Sequence, residues 1–405
     1  MAEQRAPLPR VAIIGAGVTG LLLAHGLQKN GFPVTVYDKE AYVGERVREW
    51  TMIVHWALSL IHDILPDDIL ADVNTAYTDP ISPESSEPIP FYNGTTGEVA
   101  FHVGGRARRL SRNRFRRLCT RGLNVQWAKA VEDVSVPDST SQGPVTIHFS
   151  DGTTALADLV IGADGPNSYV RRWLLGEEAA KPVASPIACS NGLVRYPNVE
   201  LAERIRAAHP ICMVASAPEM CTVTAIQEIP SPTDPSTWQF HVFALWNEPE
   251  IQYLTGDEAI TKTKECVGKA ELAEPFRSVF AEIPSDGSKS NVFVSQLHYW
   301  VTRPWDGKGG RVTLAGDAAH ALLPARGQGL NHALKDVEVL LAEFSKVQKG
   351  ATTVQEALDM YEEEVFARGP MAVRGSLEDA KDLMRVEGLE EGRTATKGFA
   401  QVQEN

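Results

Sequence analysis

An α/β fold, a Rossmann-like dinucleotide-binding unit interrupted by a β-rich (α+β) insertion, is what the sequence predicts. Three observations predict it: a glycine fingerprint between an apolar strand and a helix near the start, a strand-rich stretch over about 181–289, and the return of strand-turn-helix order beyond it. The expected division is a discontinuous nucleotide unit over 1–180 and 290–370, an inserted unit over 181–289, and a C-terminal helical tail over 371–405.

Val11-Ala12-Ile13-Ile14 is a short apolar run that suits a strand buried on both faces. Gly15-Ala16-Gly17-Val18-Thr19-Gly20 follows at once and opens a helix that Asn30-Gly31 ends. Val34 to Tyr37 is the second strand, so the unit is a strand-helix-strand crossover of the right-handed kind. Without side chains, the glycine turn lets backbone N–H groups and the helix dipole approach a pyrophosphate. Asp38, at the end of the second strand, is placed to accept hydrogen bonds from ribose hydroxyls. The fingerprint alone does not separate NAD from FAD.

Two further motifs lie downstream. Asp158 to Gly165 is a strand running into an Asp164-Gly165 turn, followed by Ser168 and Arg171-Arg172. Gly316-Asp317-Ala318-Ala319-His320 then leads through Pro324 to Gly327-Gln328-Gly329 and Asn331, where a helix begins with apolar residues on one face from Leu330 to Phe344. A strand-end carboxylate suits ribityl or ribose hydroxyls, and a glycine-rich helix start offers N–H groups to an anion. Between these motifs, proline- and serine-rich stretches at Asp79–Pro90 and Ser135–Gly143 read as surface loops, and Met220–Ile229 and Trp238–Trp246 read as strands.

Composition narrows the function classes. With 405 residues, 43% apolar and 22% charged, the chain has the makeup of a globular protein with room for two units. A net charge of -13 argues against nucleic acid, since the arginine-rich stretch Arg106 to Arg121 is too short to reverse the overall field. Cys119, Cys189, Cys212, Cys221 and Cys266 show no paired spacing and read as free, buried thiols of a reducing compartment. The first ten residues hold no apolar run, and no segment is long and apolar enough to cross a bilayer; a cytoplasmic protein with no membrane partner is expected. The histidines form no HxxxH or HxH pair, so no metal site is expected.

Taken in order, the three motifs resemble those of the FAD-dependent aromatic hydroxylases, the p-hydroxybenzoate and salicylate hydroxylase group of single-component flavin monooxygenases (group A). The resemblance spans about residues 10 to 370, least well across the insertion, which it makes the substrate domain. It implies that Gly15, Gly17, Val18, Gly20 and Asp38 hold the FAD pyrophosphate and adenosine, with Asp in place of the more usual Glu and Lys39 in place of the usual Arg. It implies flavin contacts from Arg112, in an Arg-x-x-Leu helix start whose Leu is here Phe115, and from Asp164, Asp317, Pro324, Gly327, Gly329, Leu330 and Asn331. Arg48-Glu49-Trp50, His55-Trp56 and the wording Arg326 to His332 look like fungal members acting on secondary metabolites, and Arg48 is added to the cofactor set on that basis.

The activity so implied is an NAD(P)H- and O2-dependent monooxygenation, with NADPH favoured over NADH, in which a C4a-hydroperoxyflavin hydroxylates or epoxidises a small aromatic or heteroaromatic substrate such as an indole. Baeyer–Villiger insertion, a reductase or dehydrogenase on the same fold, and a non-catalytic nucleotide-binding protein are the alternatives. A halogenase is disfavoured, because no Trp-x-Trp-x-Ile segment is present. Arg195 is the candidate catalytic cation, pointing at the substrate from an alternating strand that sends Tyr196 the other way. His55 and His320 are the titratable candidates, with His320 expected to pack beneath the flavin loop. Trp238, Trp246, Tyr299 and Trp300 are expected either in core or in an apolar pocket. The oligomeric state is open.

Overall fold

The computed structural model describes residues 7–45, 49–79, 87–137 and 143–400; Arg48 and most of the loops at 79–90 and 135–143 lie outside the described residues. A parallel five-stranded sheet forms from β1 (Val11–Ile14), β2 (Val34–Tyr37), β7 (Val125–Gln126), β11 (Leu159–Gly162) and β18 (Val312–Leu314), in the order β18-β11-β1-β2-β7. Every residue of β1 and β11 is buried, as apolar strands covered on both faces must be. From β1 the chain builds outward on one side to β2 and β7, then returns on the other side as β11 and β18. The order therefore reverses between β1 and β11, which brings the glycine turn and the Asp164-Gly165 turn out side by side at the carboxyl edge.

The second large sheet has eight strands in the order β16-β17-β12-β15-β14-β13-β4-β5. They are β4 (Ile89–Asn93), β5 (Val99–Val103), β12 (Val183–Val194), β13 (Met213–Ala217), β14 (Met220–Glu228), β15 (Gln239–Asn247), β16 (Leu254–Thr255) and β17 (Ser290–Tyr299). The expected boundaries differ here. Strands β4 and β5 come from the segment assigned to the nucleotide unit, and β17 from the segment assigned to its return. They join because β13 and β12 would otherwise offer unpaired edges: β4 pairs with β13 and β17 runs along β12. The expected break at 370/371 is also absent, since one helix runs through it from Val354 to Leu383. A two-stranded antiparallel sheet pairs β3 (Thr51–Val54) with β6 (Arg108–Ser111), and β8 (Val131–Ser135), β9 (Val145–Phe149) and β10 (Thr154–Ala157) form a small antiparallel sheet.

Alternation along the strands sorts the large sheet into two faces. Ala188, Val194, Phe240, Val242 and Ala244 turn to a core shared with the helices Val199–Ala208, Gly256–Gly268 and Phe276–Ala281. Ile187, Cys189, Phe243, Leu245 and Ala225 turn the other way and pack with Ile53 of β3, Leu323 of the third motif and Leu383 of the long helix. This near face is therefore closed by the nucleotide unit and the C-terminal helix together. Among the described residues, no helix is long and apolar enough to cross a membrane.

Candidate cofactor and substrate site

The glycine turn is shaped by close approach of backbone. Gly15 has φ +109°, and a Cβ there would lie 2.4 Å from the Ala163 carbonyl oxygen; one on Gly20 would lie 2.1 Å from that of Gly15. The first turn of helix Val18–Lys29 leaves the N–H groups of Val18, Thr19 and Gly20 without intrahelical partners, as any helix start does. Asp38 turns inward: its carboxylate accepts from the N–H of Ala16 at 2.6 Å and of Glu40 at 2.8 Å. Lys39 beside it is exposed. Arg116, almost fully buried, donates to the Ala16 carbonyl at 2.9 Å and pairs with Glu40 at 3.2 Å, pinning the turn from the opposite side.

The second and third motifs are tied by an arginine. Asp164 accepts from the Ser168 hydroxyl and from the Tyr169 N–H at 2.6 Å, which starts the helix Tyr169–Leu175. That helix carries Arg171, wholly buried, whose guanidinium donates to the carbonyls of Asp317 at 3.3 Å, Ala318 at 3.1 Å and Pro166, and whose Nε donates to Ala180 at 3.0 Å. It lies 4.5 Å from the Trp300 ring. Gly316, at φ +64°, brings the third motif against the first helix, where a Cβ would meet the Thr19 hydroxyl at 2.5 Å. Asp317 is exposed at the head of this junction; crowding by protein raises its pKa, and the charges of His320 and Arg112 oppose the rise. The structure thus brings Arg112, Asp164 and Asp317 to one edge with the glycine turn.

At the start of helix Gly329–Gln348 the N–H groups of Gly329, Leu330 and Asn331 have no intrahelical partners. A Cβ on Gly329 would meet nothing within 4 Å, whereas one on Gly327, at φ +62°, would lie 2.2 Å from Ile53 Cγ2. Pro324, exposed, accepts from the Gly327 N–H at 2.9 Å and closes the turn. The Asn331 side chain is used by the protein: it accepts from the His55 N–H at 3.0 Å and donates to the carbonyls of Gly327 at 3.1 Å and Ile53 at 3.3 Å. Gln328 takes the Trp56 indole N–H at 2.8 Å and keeps its own amide nitrogen buried and unpaired. Beneath the loop, His320 is buried against Asp336, as its position in the motif suggested.

These features fit FAD. Glycine turns that no Cβ would tolerate leave backbone N–H groups bare at two helix starts, open space lies over Gly329, and an orphaned amide stands beside it. The residues that would hold the group are those of the three motifs.

On the near face, Tyr196 points away into the opposite core, where its hydroxyl donates to the Val279 carbonyl at 2.6 Å. Arg195 accordingly takes the near-face side at the end of β12, half-buried, with no side-chain hydrogen bond or ion pair among the described residues. Trp238 and Trp246 lie in the far-face core and Trp300 is buried, so only Tyr299 of the four aromatic candidates packs against the near face. All five cysteines are free and four are buried, as their spacing suggested.

A nucleotide edge built from three turns, beside a large sheet whose apolar near face it covers, is the arrangement of a flavoprotein. The chain belongs to the FAD binding domain family, whose model matches residues 115–376, and a second model, for the NAD(P)-binding Rossmann-like domain, matches residues 13–67. It is an FAD-dependent monooxygenase. It is 35% identical to the FAD-dependent monooxygenase phnB of Penicillium herquei, over 97% of this chain and 95% of that protein. It is 32% identical to cctM of Talaromyces islandicus over 97% of both chains. Among solved structures, HpxO of Klebsiella pneumoniae, complexed with FAD and uric acid, superposes with a TM-score of 0.72 at 20% identity, over 93% of this chain and 88% of that one. The 2,6-dihydroxypyridine-3-hydroxylase of Arthrobacter nicotinovorans superposes with a TM-score of 0.72 at 20% identity over 94% of each chain.

Proposed function

We propose that the protein uses NADPH and O2 to hydroxylate or epoxidise a small aromatic or heteroaromatic secondary metabolite in the cytoplasm. The observation that carries this reading is the meeting of the bare helix starts and Asp317 with an enclosed apolar sheet face, within a chain whose curated relatives are fungal FAD-dependent monooxygenases. When bound, FAD supplies the redox chemistry that couples reductant oxidation to O2 activation.

The roles then divide by position. Val18 to Gly20 present N–H groups to the pyrophosphate, and Asp38 keeps a lone pair for the adenosine ribose while fixing the turn. Asp317 accepts from ribityl hydroxyls, with Arg112 supplying positive charge opposite it. The helix start at Gly329–Asn331 would help to hold the flavin through its bare N–H groups and the positive end of the helix dipole, worth about 1 kcal/mol toward negative charge. Apolar residues of the near face orient the substrate and keep water from the reacting atoms, and Arg195 at the rim attracts an acidic substrate.

The test is the visible spectrum of the purified protein, followed by NADPH oxidation and O2 consumption with candidate phenols and indoles and product analysis. Flavin bands with substrate-stimulated, oxygen-dependent NADPH loss and an oxygenated product are expected. Flavin without oxygen-dependent product points instead to a reductase or dehydrogenase, and an inserted ester oxygen to Baeyer–Villiger chemistry. Arg195→Ala is expected to keep FAD and lose product formation.

A further inference from the structure

Beyond the long helix the chain turns back at Gly388, at φ +68°, and a short helix, Arg393–Lys397, carries it to Gly398, Phe399 and Ala400. Three ties fasten this strap to the glycine-rich loop. Arg326, the residue before Gly327 and only 4% exposed, donates through one terminal nitrogen to the carbonyls of Gly398 and Ala400, the latter at 3.3 Å. Its other terminal nitrogen reaches Asp379 of the long helix at 3.3 Å, and the same carboxylate takes Nε of Arg393 at 3.0 Å, where the strap begins. The Phe399 ring stacks on His55, 4.4 Å between centroids and 20° from parallel, and the His55 N–H donates to the Asn331 side chain at 3.0 Å.

Neither partner holds its place alone. Helices shorter than about 12 residues are marginal by themselves in water, so the five-residue helix lies where its contacts put it. The loop in turn carries a charge that must stay bonded. Arg326 keeps Nε buried and unpaired already, and the strap supplies two of the three acceptors that its guanidinium finds among the described residues. If the strap lifts away, Arg326 is left with Asp379 alone, and the guanidinium regains its lost bonds only by turning toward water and drawing Gly327 with it. Phe399 also packs on the near-face core, and a Cβ on Gly398 would lie 3.6 Å from Val103 of β5, so the docked strap closes that face beside the loop.

We propose that residues 393–400 are a latch on the flavin loop. Docked, the latch keeps the turn that carries Gly327 and Gly329 in the shape that seats FAD; released, it lets the turn open and FAD exchange with solvent. Arg326, His55 and Phe399 are its positioning residues. The proposal rests on the placement of FAD at the Gly329 helix start.

Because coupling is reciprocal, a strap that retains FAD must itself be retained by FAD. Amide hydrogen exchange of residues 393–400 is compared in wild-type holoprotein and in apoprotein, with helix Phe276–Ala281 as the remote reference. Exchange of the strap about 10-fold faster in the apoprotein, with the reference unchanged, is expected. In the full chain, Phe399→Ala is expected to release FAD about 10-fold faster on dilution while the apoprotein melts within about a degree or two of wild type, and Phe399→Tyr, which keeps the stack, to restore slow release. Arg326→Lys, which keeps the charge for Asp379 but lacks the fork for the strap carbonyls, is expected to release FAD faster as well.

Equal exchange of the strap with and without FAD overturns the latch, and so does unchanged FAD release from Phe399→Ala. If that variant does not fold, the wild-type exchange comparison decides by itself. Gly329→Leu separates the latch from the placement beneath it: full flavin content in that variant overturns the placement of FAD and the latch together, whereas lost flavin alongside equal exchange of the strap overturns the latch alone.

Discussion

The Asp336 carboxylate, on the helix that begins at Gly329, lies 2.7 Å from Nε2 of His320 in the Gly316-Asp317 segment, and both side chains are fully buried. The same carboxylate accepts the Gly316 N–H at 2.6 Å and pairs with Arg368 of the long helix at 2.5 Å. One acid thus fixes the strand-end turn that carries Asp317 to the two helices behind it. Arg368 is itself held by Glu364 at 2.6 Å, so the buried charges are mutually satisfied.

Asp336→Asn should therefore cost about 3–5 kcal/mol in urea unfolding, because it removes the buried charge that Arg368 and His320 share and leaves Arg368 with Glu364 alone. Burial works against the charged form, but His320 and Arg368 outweigh it and hold the carboxylate at about 2. A depressed acid contributes stability that is complete above its unfolded value near 4 and is lost as pH falls from there toward 2. The difference between wild type and variant should hence be constant from pH about 7 to 5 and shrink below 4. A difference that shrinks already between pH 7 and 5 would sink the assignment.

The fingerprint, the Asp-Gly turn and the Gly-Asp turn were legible because each depends on backbone conformation that only glycine provides, and such a constraint is written in the local sequence. Arg116, Arg171, Asp336 and Arg368 were not, because each is a buried polar residue with a partner 16 or more positions away in another element. The stretch from Arg106 to Arg121 shows in the sequence only as a run of cations, yet β6, covered on both faces, buries Arg108 and Arg109, and the helix that follows buries Arg116. Strands β4 and β5 were assigned to the wrong unit for a related reason: a strand does not record which edge it joins.

Arg171 links the Asp164 turn to the Asp317 turn through main-chain carbonyls. Arg171→Met keeps the length and apolar stem but removes all the donors, so the two turns lose their common anchor. FAD retention should fall markedly, with a stability loss of about 3 kcal/mol from the stranded carbonyls. The flavin-to-protein absorbance ratio after gel filtration and thermal melting of the apoprotein check the two effects separately. Full flavin content in the variant would show that the turns hold their places without it.

Two glycines in one loop should respond in opposite ways. Gly329→Leu points into space that the protein leaves open, so the apoprotein should melt within a degree or two of wild type and yet bind little FAD. Gly327→Ala strains a left-handed residue and drives a methyl into Ile53, at a cost of about 1–3 kcal/mol. Its defect should appear in folding first. Equal melting temperatures for the two variants would contradict this division.

His55 and His241 are both held neutral, at about 3, chiefly by burial. His55 stacks on Phe399 at 4.4 Å between ring centroids, and its Nδ1 is buried and unpaired. A histidine depressed in the folded state contributes stability that is complete above its unfolded value near 6.5 and declines as pH falls through the window down to about 3. Each imidazole then removes up to about 1.4 kcal/mol per pH unit below 6. His55→Phe, which cannot take up that proton, should lose less stability than wild type between pH about 7 and 5, measured by urea midpoint at each pH. The same pKa values keep both imidazoles neutral throughout the range from pH 5 to 8. Any step in turnover there should survive in His55→Phe, and its disappearance would return His55 to the list of working acids and bases.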